Sequence, residues 1–230
     1  MTLSNKIIVI TGASKGLGQA LALALAKEKA KLVLSSHAKK ELAKVSQQTG
    51  ALAMSADVTK ESQVKALAKK AVKKFGRLDI WINNAGIWLP QAPVEKLNTQ
   101  RVKKMVEVNL FGTIYGSKAA LIQMKKQKSG GTIINILSTS ALNGRAGSSG
   151  YCASKYGATG FTNSLRLETA ATPVRVISVY PGGMQTHFFD EKKPADYHQY
   201  MIPTFVAGKI VENLKKSKPK EELMIKRPTT

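Results

Sequence analysis

A serine, a tyrosine and a lysine are the residues whose spacing first suggests chemistry in this chain. Residues 138–155 read STSALNGRAGSSGYCASK, with Ser138, Tyr151 and Lys155 standing thirteen and then four residues apart. A separation of four on a helix puts a phenol and an ammonium on one face, about 6 Å apart. A phenol titrates near about pH 10, and a neighbouring cation favours the phenolate, which is expected to bring Tyr151 toward a pKa useful for proton transfer. With Ser138 holding a carbonyl oxygen and Tyr151 giving or taking the proton, the trio suits carbonyl reduction or alcohol oxidation. Tyrosine and lysine four apart are common on helices by chance, so the reading depends on what the rest of the chain places beside them.

The trio needs a strand, a loop and a helix. Residues 132–137 form an apolar run, as in a strand buried on both faces, and Ser138 ends it. A Gly-, Ser- and Asn-rich loop follows, then a helical segment to about residue 170. At the chain's start, residues 6–10 are apolar and β-branched, TGASKGLG occupies 11–18, and an Ala- and Leu-rich segment runs to residue 30. This is strand, glycine turn, helix. Gly12, Gly16 and Gly18 would let the backbone approach a pyrophosphate whose charge the helix N-terminus favours.

The second strand, residues 31–34, ends in Ser35, Ser36 and His37, with Lys39 and Lys40 beyond and Lys15 in the glycine turn. A carboxylate there would bind the adenosine ribose 2′-hydroxyl and repel a 2′-phosphate. None stands there, so NADP(H) is favoured and NAD(H) remains the alternative. His37, when neutral, offers a phosphate only a hydrogen bond, and it reads equally as an exposed loop histidine.

Further on, residues 51–55 predict a third strand leading to Asp57 and Val58, residues 60–75 a basic amphipathic helix, and residues 78–82 a fourth strand ending in Asn83, Asn84, Ala85 and Gly86. Asparagines and a glycine at a strand's carboxyl end can brace neighbouring loops and let a ligand come close. Residues 98–128 predict one long helix around Asn109, whose amide either satisfies a kink or holds a water chain behind Lys155. A strand at 174–179 leads to Pro181, Gly182, Met184 and Thr186, where the threonine is placed to bond a nicotinamide carboxamide. Residues 187–203, rich in Phe and Tyr, have the composition of a substrate lid and equally that of a surface loop with a docked aromatic edge. A helix to about residue 216 and a strand at 222–225 complete the pattern. The fold class expected is α/β, a Rossmann-type doubly wound parallel sheet of about seven strands with helices on both faces, in a single domain over residues 1–230.

Composition narrows the setting. The single cysteine speaks against a disulfide framework or a cysteine-rich metal site and fits a reducing compartment. The opening MTLSNK lacks the layout of a signal peptide and no apolar run is long enough to span a bilayer, so a cytoplasmic protein away from membranes is expected. The formal charge is +22, which invites a nucleic-acid reading. Thirty of the 36 basic residues are lysines spread over helical stretches, however, and the arginines and stacking aromatics that read bases are sparse. A solvated basic surface is the favoured account.

Taken together, ThrGlyAlaSerLysGlyLeuGly at 11–18, Asp57, AsnAsnAlaGly at 83–86, Asn109, Ser138, TyrCysAlaSerLys at 151–155 and ProGly at 181–182 resemble the short-chain dehydrogenase/reductase family in its short-subunit form, over about residues 6–186. The resemblance implies a catalytic tetrad of Asn109, Ser138, Tyr151 and Lys155, without metal. It implies a cofactor cradle of Gly12, Ser14, Lys15, Gly16, Leu17 and Gly18, with Ser36 and His37 at the adenosine ribose. Asp57 and Val58 would meet adenine, Asn84, Ala85 and Gly86 the central ribose, and Pro181, Gly182, Met184 and Thr186 the nicotinamide, with Lys155 also on a ribose hydroxyl. The expected protein is an NADP(H)-dependent oxidoreductase acting on a small ketone, aldehyde or 3-oxoacyl compound, and a homo-oligomer, dimer or tetramer. Competing readings are a cofactor-binding sensor or interaction protein without turnover and a basic nucleic-acid-binding protein.

Overall fold

Alternation along each strand assigns the two faces of the sheet. In β1 (Ile7–Thr11), Ile8 and Ile10 enter one apolar cluster while Val9 enters the other. The same division separates Ile80 and Ile82 from Trp81 in β4 (Ile80–Asn83), and Ile177 and Val179 from Val176 in β6 (Val174–Pro181). Side chains on a strand point alternately to opposite faces, so runs apolar at every position must be covered on both. Helices α1 (Gly16–Lys27), α2 (Lys39–Thr49) and α7 (Pro203–Lys215) cover the first face. Helices α3 (Glu61–Phe75), α5 (Gly112–Met124) and α6 (Ser149–Thr169) cover the second.

The computed structural model describes residues 2–227. With β2 (Lys31–Ser36), β3 (Leu52–Ser55), β5 (Gly131–Ile136) and β7 (Glu222–Ile225), the sheet has seven parallel strands in the order β3-β2-β1-β4-β5-β6-β7. The order reverses between β1 and β4, which opens a crevice at their carboxyl ends. The doubly wound α/β expectation is met.

Two elements depart from the sequence reading. The helix expected over 98–128 divides into α4 (Thr99–Val106), a π-helical turn (Glu107–Phe111) and α5, because the Asn109 side chain is bonded away from its own helix. Helix α2 was not foreseen, since only Leu42 and Val45 of its eleven residues are buried. It ends at Gly50 in the left-handed region. Among the described residues, no helix is long and apolar enough to cross a membrane.

A buried polar network fixes the sheet to the helix that carries Tyr151. Trp81 Nε1 donates to Asn83 Oδ1 at 2.7 Å, and Asn83 Nδ2 donates to Asn135 Oδ1 at 2.8 Å and to Ser117 Oγ at 3.0 Å. Asn135 Nδ2 donates in turn to Thr162 Oγ1 on α6 at 2.9 Å. Each buried group here has a partner, so the network rigidifies rather than weakens the core.

Candidate active site

The loops after β1 and β4 are stitched together at the crevice. Asn84 Nδ2 donates to the carbonyls of Thr11 and Gly12 at 2.9 and 3.1 Å, while Thr11 Oγ1 accepts from the backbone of Asn84 and Ala85 at 3.1 and 3.2 Å. Gly12 sits at φ +64°, and a Cβ there would stand 2.7 Å from Ala85 Cα. A Cβ on Gly18 would overlap the Gly12 carbonyl and come within 2.6 Å of Asn84 Nδ2. Any side chain at either position would push the loops apart.

This stitching leaves the start of α1 facing the crevice. Lys15, its N-cap, makes no capping bond with its side chain, and the first turn carries no acid. The amides of Gly16, Leu17 and Gly18 therefore lack intrahelical partners and present partial positive charge. A dinucleotide pyrophosphate suits this donor set. Ser14 and Ser36 share a hydroxyl hydrogen bond of 2.9 Å beside it, and Ser36 Oγ accepts from Ala38 N at 3.2 Å.

Cations gather at this end, though not all those expected. Lys15 and His37 line the cleft, but Lys39 and Lys40 do not. Helix α2 begins at Lys39 and buries Leu42 and Val45, so its periodicity brings Glu41 and Lys44 to the cleft instead. Asp57 also stands apart from the lining, whereas Val58 belongs to it. The Asp57 carboxylate accepts from Thr59 N at 2.9 Å and Thr59 Oγ1 at 2.8 Å. Burial works to raise its pKa, but these bonds and the charges of Lys104 and Lys60 hold it below the usual carboxylate value.

The other end of the same cleft, about 1050 Å³ in all, holds Ser138, Tyr151 and Lys155 together with Gly86, Pro181, Gly182, Met184 and Thr186. Ser138 follows β5, and its hydroxyl accepts from Ser140 N at 3.1 Å and lies within hydrogen-bonding reach of the Tyr151 phenol. Lys155 is 5% exposed, and its ammonium donates to the Ile136 carbonyl at 3.0 Å. A Cβ on Gly86 would lie 3.8 Å from Lys155 Nζ and 3.3 Å from Asn109 Oδ1, so both side chains converge on the Gly86 backbone.

Electrostatics at the phenol differ from the sequence expectation. Burial pushes the Tyr151 phenol up to about 12, against the Ser138 hydrogen bond and the Arg145 charge that favour the phenolate. The ring is partly accessible along the cleft wall, but crowding at the oxygen decides the direction. Lys155 does not lower it in this state, because burial brings the lysine itself down to about 8. The site thus holds a neutral phenol, ready to donate, and an ammonium easily deprotonated.

Asn109 lies outside the cleft lining. Its Oδ1 accepts from Ile87 N at 2.8 Å, and its Nδ2 donates to Ile87 O at 2.9 Å and Ser154 Oγ at 3.0 Å. The amide ties the loop after β4 to α6.

Residues 187–203 bring an aromatic edge beside Tyr151. Phe188 meets the Tyr151 ring edge-on at 6.2 Å, and Phe189 packs with Trp88, Tyr197 and Tyr200 at 5.0–6.0 Å. Arg101 of α4 holds the segment through a two-pronged ion pair with Glu191, one prong at 2.9 Å. Glu191→Gln is expected to raise KM about two- to fivefold at low salt with little change in kcat, and added salt should shrink the difference; steady-state kinetics at two ionic strengths measure it.

Sequence reasoning missed Trp88, Glu41, Lys44 and Arg145 among the lining residues. Trp88 stands two positions past the Gly86 loop, a large apolar side chain beyond a strand's carboxyl end, and that position was a usable signal.

The family model described as short chain dehydrogenase matches residues 6–196. An uncharacterized oxidoreductase of Staphylococcus saprophyticus is 38% identical over 200 residues, 85% of this chain and 80% of that protein. Among solved structures, an alcohol dehydrogenase from Thermococcus sibiricus complexed with 5-hydroxy-NADP superposes with a TM-score of 0.88 at 28% identity, covering 99% of this chain and 98% of that one. A 3-ketoacyl-(acyl-carrier-protein) reductase from Brucella melitensis complexed with NADH gives 0.90 at 26% identity, covering 98% of both chains.

Proposed function

The chain belongs to the short-chain dehydrogenase family, and on that premise we propose that it is an NADPH-dependent reductase of small ketones, aldehydes or 3-oxoacyl compounds. The observation that carries the reading is the single cleft with an uncapped helix N-terminus and cations at one end and Ser138, Tyr151 and Lys155 at the other. When bound, the reduced nicotinamide supplies a hydride to the carbonyl carbon. The Ser138 hydroxyl donates to the substrate oxygen and Tyr151 delivers the proton. Lys155, as ammonium, steadies the phenolate left behind and is placed for a cofactor ribose hydroxyl. The glycine turn and Asn84 to Gly86 position the reacting atoms, and the aromatic edge keeps water from them.

The solved neighbours hold an NADP derivative in one case and NADH in the other, so the preference for NADPH rests on this chain's own residues. Lys15, His37 and Lys44 line the adenosine end together with one carboxylate, Glu41, and Ser36, at the end of β2, stands where an acid would repel a 2′-phosphate. His37→Asp is expected to weaken NADPH binding about 10- to 100-fold and NADH binding far less, measured by fluorescence titration of each nucleotide.

The reading is tested by oxidation of NADPH and NADH across a panel of ketones, aldehydes and 3-oxoacyl thioesters. Turnover that prefers NADPH supports it. Tight NADPH binding without turnover on any compound would replace it with the sensor reading.

A further inference from the structure

At the end of the cleft that holds Ser138 and Tyr151, Arg145 is a cation without an ion-pair partner among the described residues. Arg145 lies in the loop between Ser138 and α6 and lines the cleft beside Ser138, Ser148, Tyr151 and Tyr200. Among the described residues, its guanidinium makes no hydrogen bond or ion pair. The loop that carries it is anchored at both sides. Its own carbonyl accepts from Ser148 N at 3.0 Å, and the Gly147 carbonyl accepts from Ala92 N at 2.9 Å, which ties the turn to the loop after β4.

The neighbouring charges are already engaged. On the facing segment, Glu191 is paired with Arg101, and Asp190 with His187 at 3.0 Å. Neither carboxylate neutralises Arg145. Arg145 is exposed along the cleft wall, and its charge reaches both the Tyr151 and Tyr200 phenols, where it favours their ionised forms. Trp88, Phe188, Phe189 and Tyr200 give that wall an aromatic surface, beside the polar Gln91, His187, Asp190 and Glu191 that also line the cleft. A planar guanidinium offers paired donors matched to a carboxylate or phosphate, and a free one beside a proton donor lacks only the anion.

Resting on the reductase reading above, we infer that the substrate is a carbonyl compound bearing an anionic oxygen group, which Arg145 receives while Ser138 and Tyr151 hold the carbonyl and the aromatic wall covers the apolar part. Carboxylate and phosphate share this chemistry, and the two are separated by experiment.

The test uses two matched pairs: β-benzoylpropionate with its methyl ester, and dihydroxyacetone phosphate with dihydroxyacetone. The kcat/KM of each is measured with NADPH for wild type, Arg145→Gln and Arg145→Lys, alongside calorimetric binding of each charged compound to the NADP⁺-loaded protein. Wild type is expected to favour the charged member of at least one pair, and the pair with the larger preference identifies the group. In Arg145→Gln the charged-over-neutral ratio should fall about 10- to 100-fold, mainly through KM, with partial recovery in Arg145→Lys. Equal loss on charged and neutral compounds, or no wild-type preference in either pair, overturns the inference while leaving the reductase reading in place. If none of the four is turned over, binding decides. Arg145-dependent affinity supports the anion site and counts against the reductase reading, whereas affinity indifferent to Arg145 overturns the inference.

Discussion

Tyr151→Phe is expected to lower kcat about a thousandfold or more while leaving the NADPH dissociation constant within about twofold, because a positioned general acid contributes up to about 10⁴ and the substitution removes little packing. The phenol is the group placed to deliver a proton to an oxygen held by Ser138, and burial keeps it neutral up to about pH 12. Phenylalanine keeps the ring and its edge-on contact with Phe188. Stopped-flow reduction and fluorescence titration of the variant separate chemistry from binding. Loss of both in proportion would mean that Tyr151 shapes the cofactor site instead.

Lys155→Met carries the second large effect, in opposite directions for activity and stability. Removing the ammonium leaves the phenolate formed in the reaction without its counter-charge, and kcat/KM should fall about 100- to 1000-fold. In the wild type the same lysine titrates at about 8, so reduction should be level below that pH and fall about tenfold per unit above it. The variant should lack this limb.

Stability moves the other way. The folded pKa lies below the unfolded value of 10.5, so the unfolded chain binds more protons between them and stability rises as pH climbs through that window. Below about 8 the cost of burying the ammonium is fully present, of order 3 kcal/mol at most, offset in part by its bond to the Ile136 carbonyl. Methionine has no such cost. The variant should therefore melt at a higher temperature than wild type at neutral pH, with the gap closing toward pH 10.5, as thermal unfolding across that range would record. A lysine that weakens the fold it sits in is expected where function requires a buried charge.

Much of this arrangement was legible because a parallel sheet writes itself plainly. Runs such as IIVIT and IWIN are apolar at every position up to a last polar residue, and glycines 12 and 18 mark where two backbones nearly touch. Helix α2 was hidden because only two of its eleven residues, Leu42 and Val45, are buried, and lysines and glutamines make up five of the others, leaving hardly any period to read. The π-turn at Asn109 was hidden because its cause is tertiary: the Ile87 backbone draws the amide across from another loop. Spacing placed Tyr151 and Lys155 together but misjudged their electrostatics. The proximity of a cation is visible in a sequence, whereas the desolvation that overrides it belongs to the packed structure. Arg145 was invisible for a similar reason, since only the folded loop shows that it lines the cleft and that no carboxylate among the described residues pairs with it.

The most direct test of the account follows an isotope. NADPH deuterated on the transferred face of nicotinamide C4 is supplied with a ketone that the wild-type protein turns over, and the product alcohol is examined by mass spectrometry and NMR. The account predicts one deuterium on the carbinol carbon, a hydroxyl proton drawn from solvent through Tyr151, and no labelled product from Tyr151→Phe beyond background. Deuterium absent from the carbinol carbon, or labelled alcohol formed equally well by the Phe variant, would contradict it.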